Sequence, residues 1–271
     1  MLRTLTSAAL VTLLTACPAP VVSPDAGAPD AGATETGRDA GAPDAGDPSA
    51  LFPPDRLIEV RLELPTADWD TLRNQTRDLF TLLAGDCTAQ PFPSPFTDFE
   101  GTATVEGVRL ARTSMKKKGF LGSLSVNRPS LKLKFDAFLD DQAVHGMDAM
   151  TLNNAQQDPS IVRQCLGYAL FTKAGLLAPR CSFAHVTVNG ADLGVYAHVE
   201  AIDKDFLRRR GLDADGRLYE GTLSDFNLTF LRTFDLKGND PSRADLEAVI
   251  AALAVPDAEV VARLDAVLDV N

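Results

Sequence analysis

The 271-residue sequence has no excess of positive charge: 26 lysines and arginines stand against 37 aspartates and glutamates, giving a net charge of -11 at pH 7. A protein that binds nucleic acid through its phosphates needs a basic face. The composition therefore argues against a nucleic-acid partner. With 45% hydrophobic and 23% charged residues, the chain is otherwise ordinary for a globular protein.

Histidine and cysteine are also scarce. The three histidines lie far apart in the sequence, and no two cysteines have the short spacing of a zinc site. The sequence therefore predicts no metal site built from these residues. Apart from an N-terminal cysteine, Cys87, Cys165 and Cys181 remain. In an oxidising compartment they predict one disulfide and one free thiol, with the pairing left open.

The N-terminus lacks a hydrophobic run long enough to span a bilayer. Arg3 precedes a short apolar segment that ends in Leu14-Thr15-Ala16-Cys17, a sequence similar to a bacterial lipobox. This pattern predicts a lipoprotein signal peptide over residues 1–17, with a lipid on Cys17 that anchors an exported protein to a membrane. The alternative is an ordinary secretory signal with a chance cysteine.

Residues 18–50 lack aromatic side chains and repeat the sequence Pro-Asp-Ala-Gly. Such a segment has too little apolar surface to offset the entropy of ordering the chain. We predict that it is a disordered, acidic tether.

Residues 51–271 lack internal repeats and mix strand and helix patterns, which predicts an α+β domain with a mostly antiparallel sheet and packed helices. Residues 56–64 alternate apolar and charged residues like a half-buried strand. A helix capped by Thr66 follows, and residues 98–136 contain strands that should form an antiparallel ribbon.

The second half of the chain has one clear hairpin signal. Asn189-Gly190 separates two alternating apolar runs within residues 181–203. A short helix closed by Gly211 should follow, and residues 242–270 have amphipathic helix patterns.

Two stretches have an unusual density of hydrogen-bonding groups. Residues 128–136, RPSLKLKFD, have the apolar alternation of a strand, and residues 152–163, LNNAQQDPSIVR, are rich in amides. The second stretch leads into a helix predicted from Pro159 to Gly175, with Asp158 as its N-cap. Ile161, Cys165, Tyr168, Ala169 and Leu170 would form its buried stripe.

These stretches belong to an ordered series of motifs that resembles the CotH kinase family, atypical protein kinases named after a bacterial spore-coat protein. The series is KKKGFLGS (116–123), RPSLKLKFD, the segment 152–180 with Asp-Pro-Ser and Gly-x-x-Ala-Pro-Arg, Val-Asn-Gly and Gly-x-Tyr (186–207), and GRLYEG (216–221). The resemblance runs from about Arg56 to the end of the chain. It implies an atypical protein-kinase-like fold, ATP with Mg or Mn as cofactor, and phosphorylation of serine or threonine on secreted or coat proteins.

Phosphoryl transfer requires cations at the phosphates, and the resemblance implies which residues supply them. Lys132 and Lys134, with Lys118 in the preceding ribbon, would meet phosphate oxygens. Arg163 would do so bidentately from the helix start. The alternatives are that both strand lysines form a solvated face and that Lys116–Lys118 is a solvated run.

Two acids complete the predicted cofactor-binding set. Glu200 would pair with a lysine, as kinase folds pair lysine and glutamate, and Asp203 would support the same cluster. The alternative for Glu200 is a structural ion pair with Arg163. For Asp158 the alternative to a metal ligand is helix capping, and for Asn153 and Asn154 it is satisfying the backbone of a loop.

The sequence departs from the family pattern at its C-terminal end. The family's acids closest to the chemistry lie in an Asn-x-Asp segment and a Pro-Trp-Asp-x-Asp segment, but the one tryptophan here is Trp69. We therefore expect an incomplete kinase-like domain over residues 51–271, with catalytic residues unknown and located beyond Asn271. The alternative function is a non-catalytic surface or coat-assembly binding module.

Overall fold

The computed structural model describes residues 46–78, 88–120, 122–237 and 241–269. The predicted leader with Cys17, most of the predicted tether, and Cys87 lie outside the described residues. The chain divides into two compact units. The larger contains the described residues of Pro29–Arg77 and Pro95–Leu212, and the smaller contains those of Asp78–Ser94 and Asp213–Asn271.

The larger unit is built on a closed, seven-stranded barrel. Its strands are β1 (Leu57–Glu63), β2 (Asp98–Val105), β3 (Val108–Lys118), β4 (Ser130–Lys134), β5 (Ala149–Asn153), β6 (Cys181–Val188) and β7 (Ala191–Val199). They are ordered β1-β2-β3-β4-β5-β7-β6. The closing pair β1–β6 is parallel and the other described pairs are antiparallel. The predicted α+β class with a mostly antiparallel sheet is confirmed.

Strand β1 shows how the sequence specifies the barrel. Ile58, Val60 and Leu62 point into the core and are at most 1% exposed, while the residues between them are exposed. This alternation places one face of the strand in the core. The strand predicted for residues 56–64 is therefore confirmed.

The hairpin between β6 and β7 is also confirmed. Asn189 and Gly190 both have positive φ, of 50° and 79°, as a two-residue turn of this kind requires. The Asn189 side chain accepts a hydrogen bond from the Leu64 amide at 3.0 Å, and its backbone amide donates to the Leu62 carbonyl at 2.9 Å. The turn therefore also holds the end of β1.

Helix α1 (Thr66–Asn74) lies where a helix was predicted, but Thr66 is its first residue instead of its cap, and no side chain caps it. Its C-terminal end is closed by Lys117, which is 1% exposed and donates to the carbonyls of Arg73 and Gln75, both at 2.6 Å. The interpretation of Lys116–Lys118 as a solvated run is wrong for Lys117, because strand alternation turns it inward.

Helix α2 spans Arg163–Lys173 and starts four residues later than predicted. Ile161 has a φ of 65°, a left-handed conformation that a helix cannot contain. The predicted buried stripe is also wrong, because no residue of α2 is buried. Leu166 is 66% and Leu170 63% exposed.

A disulfide joins Cys165 of α2 to Cys181 of β6, with a Cα–Cα distance of 5.1 Å. This finding selects one of the pairings that the sequence left open. Helix α3 (Lys204–Arg209) follows β7 and ends before Gly211, whose φ is 70°, so the predicted short helix is confirmed.

The smaller unit contains strands β8 (Leu218–Gly221) and β9 (Phe234–Lys237), which pair antiparallel, and helices α4 (Ala244–Leu253) and α5 (Asp257–Leu264). Both helices fall in the region where they were predicted. Within the smaller unit, the Tyr219 hydroxyl donates a hydrogen bond to Asp245 at 2.8 Å, which links β8 to α4. No helix of the described residues has both the length and the apolar character needed to cross a membrane.

Candidate phosphate-binding site

A cavity of about 420 Å³ lies in the larger unit, where the ends of β3, β4 and β5 meet the start of α2. Its size falls within the range of small-molecule sites. The lining is rich in amides, cations and glycine: Lys118, Gly119, Gly122, Ser123, Ser130, Asn153, Asn154, Ala155, Gln156, Gln157, Asp158, Ile161, Arg163 and Gln164. Most of the amide-rich stretch 152–163 therefore lines one cavity.

One wall is organised by a chain of side-chain hydrogen bonds. The Lys118 ammonium donates to Asn153 Oδ1 at 2.9 Å, and Asn153 Nδ2 donates to Gln164 Oε1 at 2.8 Å. Gln164 Nε2 in turn donates to the Tyr168 hydroxyl at 3.2 Å. The chain fixes the Asn153 and Gln164 amides and connects a cation at the end of β3 to the first turns of α2.

Asn154 is only 2% exposed and connects the loops at the cavity through hydrogen bonds. Its amide group donates to the carbonyls of Ser123 at 3.1 Å and Arg128 at 2.8 Å, and its Oδ1 accepts from the Gln156 amide at 3.1 Å. Its backbone amide donates to Ser130 Oγ at 2.9 Å. Asn154 therefore satisfies loop backbone, as the alternative interpretation predicted.

Asp158 and Arg163 form the outer part of the wall. The Asp158 carboxylate accepts hydrogen bonds from the Ser160 amide at 3.1 Å and from the Arg163 amide at 2.9 Å. The pKa of Asp158 is lowered, chiefly by the hydrogen bond from the Ser160 hydroxyl. Some desolvation opposes this shift, and the backbone amides of Arg163 and Ser160 and the Arg163 charge add to it. Asp158 therefore stabilises the turn before α2 and its first amide, although the helix starts later than predicted.

Arg163 remains accessible in this arrangement. Its Nε lies 3.4 Å from Asp158 Oδ1, and its side chain is 73% exposed. The alternative of an ion pair between Arg163 and Glu200 is wrong, because Asp158 takes that position. An exposed guanidinium at the rim of a polar cavity is a suitable group for recognising an anion.

Lys132 and Lys134 do not line the cavity. They lie on the outward face of β4, where Lys132 is exposed opposite Lys116 and Thr151. Lys134 forms ion pairs with Asp148 and, at 3.0 Å, with Asp136. Burial alone would lower the pKa of Lys134, but these two carboxylates outweigh it and raise the pKa.

Glu200 is buried among arginines and does not pair with a lysine. Its side chain is 0% exposed and accepts hydrogen bonds from Arg180 at 2.7 Å, Arg209 at 3.1 Å and Arg210 at 3.3 Å. Asp203 caps α3 by accepting a hydrogen bond from the Phe206 amide at 2.9 Å. The predicted lysine–glutamate pair is therefore wrong, because loops and α3 bring three arginines to the same carboxylate.

Sequence reasoning missed Gln164 and the contribution of Gly122. Gly122 has a φ of 84°, which favours glycine, and a Cβ atom there would lie 2.1 Å from Gln157 Nε2, so glycine leaves room for the Gln157 side chain at this close approach of the two loops. The two glycines of KGFLGS were a visible signal for such an approach. Gln164 gave no signal, because it lay inside a helix whose start was predicted too early.

The profile of the family described as "CotH kinase protein" matches residues 116–271, more than half of the chain. The chain therefore belongs to this family, and the match includes every residue that lines the cavity.

Two relatives come from Bacillus subtilis (strain 168). "Inner spore coat protein H" is 33% identical over 95 residues, which are 35% of this chain and 26% of the relative. "Inner spore coat protein H-like protein" is 30% identical over 95 residues, covering 35% of this chain and 31% of the relative. The similarity thus spans about a quarter to a third of the length of these relatives.

Proposed function

We propose that the cavity binds the phosphate groups of ATP and that the protein serves phosphoryl transfer to serine or threonine hydroxyls of secreted or coat proteins. The observation that carries this proposal is the presence of Lys118 and Arg163 in one amide-lined cavity of about 420 Å³. Bound ATP would supply the transferable γ-phosphoryl group. The kinase-like character of the fold is part of the same proposal.

The two cations suit phosphate in different ways. The Arg163 guanidinium offers several donors in a planar fork, while the Lys118 ammonium acts as a point charge. The amides of Asn153 and Gln164 already bond to each other and leave further donor capacity at the wall. Lys132, farther along the face of β4 that also carries Ser130, would add positive potential without touching the ligand.

The remaining members of the predicted set are less suited to ATP. Lys134 is balanced by two carboxylates, Glu200 is enclosed by arginines, and Asp203 is used as a helix cap. We therefore propose Lys118 and Arg163 as the phosphate ligands within this part of the chain.

The donor set of the cavity does not fit Mg or Mn. Asp158 is the one acid among the described residues that line it, and its carboxylate already bonds to Ser160 and Arg163. Within the described ranges no cluster of three or more histidine, cysteine, aspartate or glutamate residues could hold a metal ion. We therefore derive no metal-dependent step from these residues.

Replacing Arg163 with glutamine should weaken binding of ATP and of tripolyphosphate by at least about tenfold, because one charge-assisted contact is lost. Titration calorimetry with ATP, tripolyphosphate and adenosine measures this effect. Arg61→Gln, a change at an exposed arginine on β1 that does not line the cavity, is the matched control. Equal phosphate binding by Arg163→Gln and the wild type would refute the assignment of the site.

Transfer itself needs a separate test. ATP labelled on its γ-phosphate should pass its label to a serine-containing protein only when the wild-type protein is present. If the protein binds ATP and transfers no label, the phosphate site stands and the kinase activity does not.

A second candidate function is a non-catalytic surface or coat-assembly module. It is favoured by the exposed apolar side chains on and after α2, which include Leu166 at 66%, Leu170 at 63% and Leu177 at 59%. Contiguous exposed apolar surface often marks an interaction site. If serine at Leu166 and Leu170 abolishes binding to a coat layer while an inactive phosphate site does not, this second function holds.

We further propose an exported, coat-associated protein anchored to a membrane through a lipid on Cys17. The names of the relatives support the coat association, and the lipobox pattern supports the anchor. Intact-mass measurement of the exported protein tests the anchor: a mature chain without lipid at Cys17 would disprove it.

A further inference from the structure

We propose that the Cys165–Cys181 disulfide positions the phosphate site by holding the first turn of α2 against the barrel. This inference rests on the proposed phosphate-binding function of the cavity. It assigns to the two cysteines a role in ligand affinity, which they exert through Arg163 and Gln164.

The position of the disulfide in the chain supports this role. Cys165 directly follows Arg163 and Gln164, the two α2 residues that line the cavity. Cys181 is the first residue of β6, a strand hydrogen-bonded on both sides within the closed barrel. The covalent bond therefore ties the α2 wall of the cavity to a strand of the barrel.

The packing of α2 explains why it needs such a tie. A helix of 11 residues is too short to be stable alone in water and normally depends on burying an apolar face. No side chain of α2 is buried, and Leu166, Leu170 and Phe171 are 66%, 63% and 49% exposed. Hydrophobic burial therefore contributes little to the placement of this helix.

The noncovalent contacts at the first turn are polar. They include the hydrogen bond from Asn153 to Gln164 at 2.8 Å and the contact of Asp158 with the Arg163 amide at 2.9 Å. Without the disulfide, these contacts would hold the turn in place for only part of the time. The apparent dissociation constant rises in inverse proportion to the fraction of molecules with the site formed.

A dithiol such as dithiothreitol would reduce the Cys165–Cys181 disulfide. The reductant supplies two electrons and two protons, the bond between the two sulfurs breaks, and two cysteine thiols form. The reductant leaves as a cyclic disulfide.

Tripolyphosphate is the probe, and its dissociation constant is measured for the oxidised, reduced and reoxidised wild type and for Cys165→Ser/Cys181→Ser. We expect reduction to weaken binding about tenfold, reoxidation to restore it in the wild type, and the double variant to bind weakly in both conditions. Hydrogen exchange of the α2 amides should become faster in the reduced protein. Trp69, the one tryptophan, packs against the barrel core, so its fluorescence should not change on reduction.

Equal affinity and equal α2 exchange in both redox states would overturn the inference. A change in Trp69 fluorescence on reduction would also overturn it, because the disulfide would then support the whole barrel. If the oxidised wild type does not bind tripolyphosphate, the proposed function fails. The exchange rates then still decide whether the disulfide holds α2: faster exchange on reduction supports that role, and unchanged exchange refutes it.

Discussion

Replacing Glu200 with glutamine is expected to lower the free energy of unfolding of the barrel by about 3–5 kcal/mol, the usual effect of removing one partner from a buried ion pair. Glu200 accepts hydrogen bonds from Arg180, Arg209 and Arg210 and from the Arg180 backbone amide at 3.0 Å. Glutamine has nearly the same shape, but its amide nitrogen would face guanidinium donors and its charge would be lost. Three converging cations would then have no counter-charge at the centre of the cluster.

The pKa of Glu200 indicates how strongly the cluster favours its charge. Burial alone would raise this pKa, yet the hydrogen bonds from Arg180 and the charges of Arg180 and Arg210 lower it. The stability that Glu200 contributes is therefore present above the ordinary glutamate pKa and is lost as the pH falls below it.

Urea unfolding followed by Trp69 fluorescence measures the effect at neutral pH. Glu100→Gln is a matched control, because Glu100 also forms two hydrogen bonds to one arginine, Arg112, but both side chains are about half exposed. Solvent screens such a pair, so the control should be close to the wild type. A Glu200→Gln protein as stable as the control would contradict the account of the cluster.

The barrel is expected to lose about 2 kcal/mol of stability between about pH 7.5 and about pH 5 through His198 alone. His198 is 0% exposed, and its ring stacks on Phe52 with centroids 4.4 Å apart. Nδ1 lies 3.1 Å from the Leu51 carbonyl oxygen, which can only accept, so the neutral ring carries its proton there. Burial lowers the pKa of His198 to about 4, with Arg180 adding to the effect and Leu51 and Glu200 opposing it.

The sign of the pH dependence follows from this depressed pKa. In the unfolded chain His198 takes up a proton below about pH 6.5, whereas in the folded barrel it stays neutral down to about pH 4. Between these values the unfolded state binds more protons. Stability is therefore fully present above the unfolded pKa and falls as the pH approaches the folded one.

His198→Asn tests this prediction, because an asparagine amide can replace the Nδ1 donor and does not titrate. The variant should be less stable at neutral pH through lost packing, but it should lose much of the pH slope. His185→Asn is the control, since the Glu59 hydrogen bond, opposed by some desolvation and supported by Asp192, raises the pKa of His185. Its contribution has the opposite sign, so this variant should keep the loss on the acid side. A slope unchanged by His198→Asn would show that other groups cause it.

Local patterns predicted much of the barrel. The alternation in β1, the Asn189-Gly190 turn and the Gly211 stop each depend on residues within a few positions of one another, so they could be predicted from sequence alone. The start of α2 could not, because Asp158 and the left-handed Ile161 form a turn that looks in sequence like a capped helix with proline at its first position.

Part of the candidate site could also be predicted from the sequence. Arg163 and Lys118 were named and do line the cavity, and the amide-rich stretch was recognised as unusual. Lys132 and Lys134 share the outward face of β4 with Ser130, but the cavity lies at the end of the strand and includes Ser130 alone of these three. The strand period gives the face on which a side chain lies and does not give its distance from a site along that face.

The sequence by itself determined the family, the α+β class, the strand faces and the turns, because these depend on residue order and on local backbone preferences. Only the tertiary structure decided which side chains meet. It surrounded Glu200 with three arginines, buried Lys117 at the end of α1, and paired Cys165 with Cys181. These contacts join residues from different elements, so they depend on how the elements pack in three dimensions and not on local backbone preferences.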